Sequence, residues 1–271
     1  MGVVFINSEF IYEKDLVIKS SNRAFNYGDG FFETIKVINS KPFNFSAHYA
    51  RLSLAFEVLK LKNEVTISSL LSVINDLINQ NKLINGSVKI HITRIEGGKY
   101  KPKSNGCEMM IHAYSGLGFK QNIPVSLCVF SDEVKTMGGL SNIKSVNAAV
   151  SVLGAIHAKD LGFDNAILKN TKGNYIEVTN SSLFIVKDNL IYTPPISDGC
   201  IDGTMRSWVL SNDKIIEKSL SLYDIKQSDE VFITNSITGI TSVKGVEETV
   251  FTDFKGADKL QNELISLSLD L

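Results

Sequence analysis

Cysteine is scarce and scattered: Cys107, Cys128 and Cys200 are the three in 271 residues. An odd number without regular spacing excludes a disulfide framework and fits a reducing, cytoplasmic setting. Each reads as a small buried hydrophobe. Histidine is sparse too. His48, His91, His112 and His157 form no HxxxH pair and no Cys/His cluster, so no metal site is expected. Neither sign of charge dominates, for 28 Lys and Arg stand against 29 Asp and Glu, a net charge of -1. Nucleic-acid and membrane-surface partners are therefore not expected. The first 18 residues lack a long hydrophobic run, since Glu9, Glu13, Lys14 and Asp15 interrupt them. They read as neither a signal peptide nor a membrane span. Ile6 breaks the myristoylation pattern that the opening Met-Gly would need. There is no internal repeat, no low-complexity tract, no GxxxxGK[ST] and no GxGxxG opening a helix, so nucleotide binding has no support.

What is present is an ordinary globular balance, 44% hydrophobic and 21% charged, in a chain long enough for one large or two ordinary domains. Residues 3–6 and 10–12 read as a hairpin around Asn7-Ser8-Glu9. A strand over 31–38 returns at 42–45. Ser46 is placed to cap a helix that carries Leu52, Ala55, Phe56 and Leu59 on one face. Thr66 is placed to cap a second helix over 67–83. Residues 87–95 alternate Val88, Ile90 and Ile92 against Lys89, His91 and Thr93, a half-buried strand with 109–114 as its neighbour. The division expected is an N-terminal α+β domain over 1–114, a Gly-bearing linker over 115–122 and a C-terminal α/β domain over 123–271. In the second half, helices are expected over 147–161 (stopped by Gly162), 204–210, 223–225 and 258–267. Strands are expected over 125–130, 165–168, 183–186, 190–192, 229–234 and within 240–250.

Several residues invite chemistry. Lys144, in Ser141-Asn142-Ile143-Lys144-Ser145-Val146-Asn147, alone reads as a solvated charge. A buried lysine in such a segment can instead bond a carbonyl cofactor. Glu177 is placed in a polar turn between strands, where a carboxylate is usually solvated. Beside a pyridine nitrogen it would keep the ring protonated. Arg51, one turn into a helix, is either an exposed charge or a two-donor grip on phosphate. Thr234-Asn235-Ser236-Ile237-Thr238-Gly239 follows a strand, and Gly203-Thr204-Met205-Arg206 opens a helix. Backbone amides at both places suit an anion. Arg94, ahead of Gly97-Gly98-Lys99-Tyr100, is either a hairpin residue or a carboxylate clamp.

In register, these pieces resemble the class-IV aminotransferase family, the fold-type IV enzymes of pyridoxal phosphate (PLP). It includes branched-chain and D-amino acid aminotransferases and 4-amino-4-deoxychorismate lyases. The resemblance covers nearly the whole chain. It runs through Asn22-Arg23-Ala24-Phe25-Asn26-Tyr27-Gly28-Asp29-Gly30-Phe31-Phe32-Glu33-Thr34-Ile35, His48-Tyr49-Ala50-Arg51-Leu52, Asn142 to Asn147, Glu177, Tyr192-Thr193-Pro194-Pro195, Gly203 to Arg206, and Asp229 to Ser236. It implies a two-domain α/β and α+β fold like that of D-amino acid aminotransferase, PLP in the cleft, and a homodimer in which a loop of one subunit closes the other's site. Lys144 is then the Schiff-base lysine and Glu177 the partner of the ring nitrogen. Arg51 and the backbone of Thr204, Met205, Ser236 and Ile237 hold the phosphate. Arg94 and Tyr100 are candidates for a substrate carboxylate, with Tyr27 and Thr34 lining the pocket.

The departures concern detail. Ser182 stands where the family usually has Asn, Met205 replaces a phosphate-facing hydroxyl, and Ala149 replaces a Tyr typical of branched-chain enzymes. The Arg94 to Pro102 segment and Gly-x-Met-Arg resemble the lyases, whereas Asn142 to Asn147 looks as much like the D-amino acid enzymes. The leading expectation is release of pyruvate from aminodeoxychorismate, giving the folate precursor 4-aminobenzoate. Amino transfer from a D-amino or branched-chain acid is the alternative. An inactive PLP-binding homologue is the third reading, opposed by the retention of Lys144 and Glu177. On any of them the partner is a small amino-acid-like molecule. A free lysine has a pKa of about 10.4, so Lys144 acts as a base only if desolvated or set beside a cation.

Overall fold

The computed structural model describes residues 2–269, which group into two compact units. The first holds the chain up to Gly118 together with Ile143–Asn147, and the second holds Phe119–Asn142 with Ala148–Leu269.

The first unit runs β1 (Val3–Ile6), β2 (Glu9–Tyr12), α1 (Arg23–Tyr27), β3 (Gly30–Ile38), β4 (Lys41–Pro42), α2 (Phe45–Val58), α3 (Ile67–Gln80), β5 (Gly86–Arg94) and β6 (Cys107–Ser115). Its sheet has the order β2-β1-β6-β5-β3-β4, with antiparallel neighbours throughout. Successive strand side chains face opposite ways, and β5 buries every second residue, Gly86, Val88, Ile90, Ile92 and Arg94. Phe31 and Ile35 of β3 join Val88, Ile90 and Ile92 in one apolar cluster with Leu52 and Phe56 of α2 and Leu70, Ile74 and Leu77 of α3. Thr66 and Ser69 form the capping box of α3, which ends at Gln80, short of Leu83. Ser46 does not cap α2. The helix starts two residues earlier from Asn44, which turns the chain with a φ of 51°, a conformation asparagine tolerates well.

The lysine-bearing segment was expected with the C-terminal domain, but it packs with the first unit. β4 pairs with β3 only at Val37 and Ile38, so it does not cover the other end of β3. Residues 144–146 take that edge. Phe32 N donates to Lys144 O at 3.0 Å, Val146 N donates to Gly30 O at 3.2 Å, and Ser145 bridges Phe31. Ile143 joins the core of this unit.

The second unit runs β7 (Val125–Lys135), α4 (Gly139–Asn142), α5 (Ala149–Asp160), β8 (Asn165–Asn170), β9 (Tyr175–Val178), β10 (Ser181–Lys187), β11 (Leu190–Thr193), α6 (Thr204–Asn212), β12 (Ile215–Glu217), α7 (Leu222–Lys226), β13 (Glu230–Asn235), β14 (Gly239–Val246), β15 (Thr249–Val250) and α8 (Lys255–Leu269). β9 pairs with both β8 and β10, so the path β10-β13-β14-β7-β8-β9 closes on itself. β7 is parallel to β8 and β14, and the other pairs of the ring are antiparallel. Leu127, Ile167, Val178, Leu183, Val231 and Val243 lie in its core. Glu177 was expected in a polar turn, yet it lies on β9 between Ile176 and Val178, each 1% exposed. Two buried β-branched residues hold that segment in a sheet more strongly than its polar flanks hold it in a turn. No described helix is long and apolar enough to cross a membrane.

Candidate active site

Along the β3 edge, burying Ile143 in the core turns Lys144 to the opposite face, which is the face of Phe32. The Lys144 ammonium stands 4.7 Å from the centre of the Phe32 ring. Lys89 stands 5.0 Å from the same ring, and His91 stacks on it at 6.0 Å. The two ammonium groups are thus within about 10 Å of one another. Lys89, His91 and Thr93 are the β5 residues opposite the core, and His91 and Thr93 also line a cavity of about 190 Å³ with Ile18, Asn22 and Met110. Burial, helped by the charges of Lys89 and His112, pushes the His91 imidazole down to about 4. Thr34, another predicted pocket residue, is half-buried and lies across from Lys89 in the β3–β5 register.

Arg94 corrects the sequence expectation. It occupies a core-side position of β5 and is 7% exposed. Its Nε donates to Asp29 Oδ2 at 2.9 Å, Nη1 to Asn105 Oδ1 at 2.8 Å and Nη2 to Leu59 O at 2.6 Å. Such a guanidinium ties strand, loop and helix end together instead of meeting a substrate. Asp29 Oδ2 also accepts from Arg23 Nε at 2.8 Å, and Arg23 Nη1 donates to Gly97 O and Lys99 O. The Gly97–Tyr100 loop is therefore anchored by its backbone. Tyr100 is 91% exposed, with its ring centre 5.6 Å from that of Tyr27.

Arg51 is held by a residue whose role the sequence reading missed. Its Nε and Nη2 donate to the two carboxylate oxygens of Glu33, both at 2.7 Å, and His48 Nδ1 lies 2.7 Å from Glu33 Oε2. Burial pushes the Glu33 carboxyl up, but the Arg51 charge, its hydrogen bonds and His48 outweigh it and hold the group at about 2. A carboxylate on the buried side of β3, between Phe31 and Ile35, needed a cation. His48 and Arg51, three apart on one helix face, were the available signal.

In the second unit Glu177 is 4% exposed. Its Oε1 is ion-paired with Lys135, and Oε2 accepts from Ile201 N at 2.8 Å. Burial pushes the neighbouring Cys200 thiol up to about 12, so it adds no charge there. The first turn of α6 carries Thr204 and Met205, both buried. Its N-cap is Gly203, and no side chain caps it. A Cβ on Gly203 would lie 2.4 Å from Ser182 Oγ. Thr234, opposite Ser182 in the sheet, is 2% exposed and its Oγ1 has no hydrogen-bond partner among the described residues. In the following turn the Ile237 amide donates to Asn235 Oδ1 at 2.9 Å, so it already has an acceptor inside the turn, contrary to the role expected for it.

Comparison with known proteins decides the family: the model described as amino-transferase class IV matches residues 30–246. The chain belongs to the class IV aminotransferase family. The family comprises PLP-dependent enzymes, aminotransferases and aminodeoxychorismate lyases among them. A putative branched-chain-amino-acid aminotransferase of Methanocaldococcus jannaschii is 27% identical over 262 residues, covering 92% of this chain and 90% of that one. The aminodeoxychorismate lyase of Vibrio harveyi is 28% identical over 238 residues, covering 83% and 86%. In fold, a branched-chain aminotransferase from Thermoproteus uzoniensis matches with a TM-score of 0.92 at 20% identity, covering 99% of this chain and 95% of that one. The fold is the two-unit α/β and α+β arrangement of the fold-type IV enzymes.

The residues of this class IV chain fit PLP. A helix start that no side chain caps, and the buried Thr234 hydroxyl without a hydrogen-bond partner among the described residues, suit a phosphate. A carboxylate fixed at both oxygens suits a ring N–H, because each oxygen still accepts a second bond.

Proposed function

We propose that the protein eliminates pyruvate from aminodeoxychorismate with PLP, yielding 4-aminobenzoate. Lys144 is the residue that holds the cofactor covalently. Arg51 and the start of α6 at Thr204 and Met205, together with Ser236, hold its phosphate, and Glu177 holds the ring nitrogen. PLP, when bound, draws electron density away from the carbon bearing the substrate's amine. Lys144 would take the proton from that carbon as the C–O bond to the enolpyruvyl group breaks, and the departing pyruvate would receive a proton in its place. Lys144 is half-buried against the Phe32 ring, with the Lys89 ammonium on the same ring. Phe32 and Thr34 line the substrate's side of the β3–β5 surface, and Tyr27 packs the Gly97–Tyr100 loop beside it.

The observation that carries the choice of substrate is the Lys89 ammonium, on the face of β5 that Lys144 shares. Aminodeoxychorismate is a dicarboxylate, and a cation within about 10 Å of the reacting lysine suits its second carboxylate. This takes over the part first expected of Arg94. Likeness to a branched-chain aminotransferase, 27% identical, favours amino transfer as the second reading. The same reading takes the protein as a cytoplasmic homodimer. Its three free cysteines and the outstanding Tyr100, a side chain suited to a partner's site, support this.

The test is to load the purified protein with PLP and assay pyruvate release from aminodeoxychorismate beside amine transfer from D-Ala, L-Glu and L-Leu. Pyruvate release without a keto-acid acceptor is expected. Activity on L-Leu alone would overturn the lyase reading.

A further inference from the structure

We propose that Lys135 is a positioning residue for Glu177, fixing the carboxylate in the one orientation from which it receives the N–H of a bound pyridine ring. The inference rests on Glu177 being the ring-nitrogen partner. Lys135 ends β7 beside Asn170 of β8, and Glu177 sits on β9 beside Leu168 of β8, so the pair reaches across one intervening strand. The ladder shifts register on both sides of this crossing, between Phe130 and Lys135 and between Leu168 and Lys169. Such irregularities re-aim side chains, which places the two groups in contact. The side chains of Lys135 and Glu177 are 15% and 5% exposed.

A buried ion pair adds little net stability over an apolar pair of the same size, but removing one partner leaves a charge stranded. The pair's contribution is therefore to hold a charged carboxylate rigidly at a place where water does not solvate it. Ile201 N fixes the second oxygen at 2.8 Å. With both oxygens anchored, the carboxylate cannot rotate, and its remaining acceptor positions point one way.

The test titrates PLP into cofactor-free wild type, Lys135→Met, Lys135→Arg, Glu177→Gln and the Lys135→Met/Glu177→Gln double variant, reading the dissociation constant and the visible absorption of lysine-bound cofactor. Lys135→Met is expected to weaken PLP on the order of tenfold and to alter the absorption band. Lys135→Arg is expected to restore most of the affinity. The double variant should lose no more than Glu177→Gln alone, because Lys135 acts through Glu177. Losses that simply add, or a Lys135→Met protein that melts earlier yet binds PLP with wild-type affinity and spectrum, would overturn the proposal. A wild type that does not take up PLP would instead overturn the functional reading beneath it.

Discussion

Glu33 and Arg51 are joined by two parallel hydrogen bonds of 2.7 Å, one to each carboxylate oxygen, inside the core of the first unit. The pair fixes the direction of the guanidinium proposed to hold phosphate. Replacing Glu33 with Gln removes the carboxylate paired with the buried Arg51 and is expected to cost about 3–5 kcal/mol in unfolding free energy. Chemical denaturation measures this. The pH dependence follows from the carboxyl being held at about 2 against its ordinary 4.5. The folded state binds this proton less readily than the unfolded chain. The stabilisation is therefore complete above pH 4.5, is lost as pH falls through 2, and amounts to about 3 kcal/mol. The acid limb of stability between those values should flatten in Glu33→Gln.

Arg94→Met is expected to act on folding. It removes the ties to Asp29, Asn105 and the end of α2, and a loss of about 2–4 kcal/mol should appear in denaturation curves. The substrate KM of the folded protein should stay within about a factor of two to three. A stable Arg94→Met with a greatly raised KM would return Arg94 to the substrate.

Much of the fold was legible because periodicity is a strong signal. The alternation in β5, the capping box at Thr66 and the hairpin at residues 3–12 all appear as expected. The same alternation also excluded Arg94 from the outer face, since it shares parity with Val88, Ile90 and Ile92, but motif likeness overrode that count. Two features were less accessible. Nothing local shows that residues 143–147 leave the second unit to cover an edge of β3, because that pairing joins residues over a hundred positions apart. Glu177 was masked by its polar flanks, and only the ring closure through β9 explains its burial.

Lys89→Met is expected to raise KM for aminodeoxychorismate and L-Glu by roughly tenfold, while KM for D-Ala changes little. A charge-assisted hydrogen bond made equally in ground and transition states lowers KM without altering kcat. Steady-state kinetics with the three substrates separates these effects. An equal change for D-Ala would argue that Lys89 acts on Lys144 and not on the substrate's carboxylate.

Gly203→Ala should weaken PLP binding, because its Cβ would lie 2.4 Å from Ser182 Oγ and displace the start of α6. Adding Ser182→Ala removes the obstructing oxygen and should recover much of the loss. The interaction in this double-mutant cycle, read from PLP dissociation constants, is expected at about 1 kcal/mol or more. Purely additive losses would mean that Gly203 matters through its backbone alone.

The most direct measurement is borohydride reduction of the PLP-loaded protein, followed by peptide mass analysis. Reduction should leave the cofactor covalently attached to the peptide carrying Lys144, and Lys144→Ala should carry no adduct. An adduct on Lys89 or another lysine, or none in the wild type, would contradict the assignment of Lys144 as the residue on which the chemistry turns.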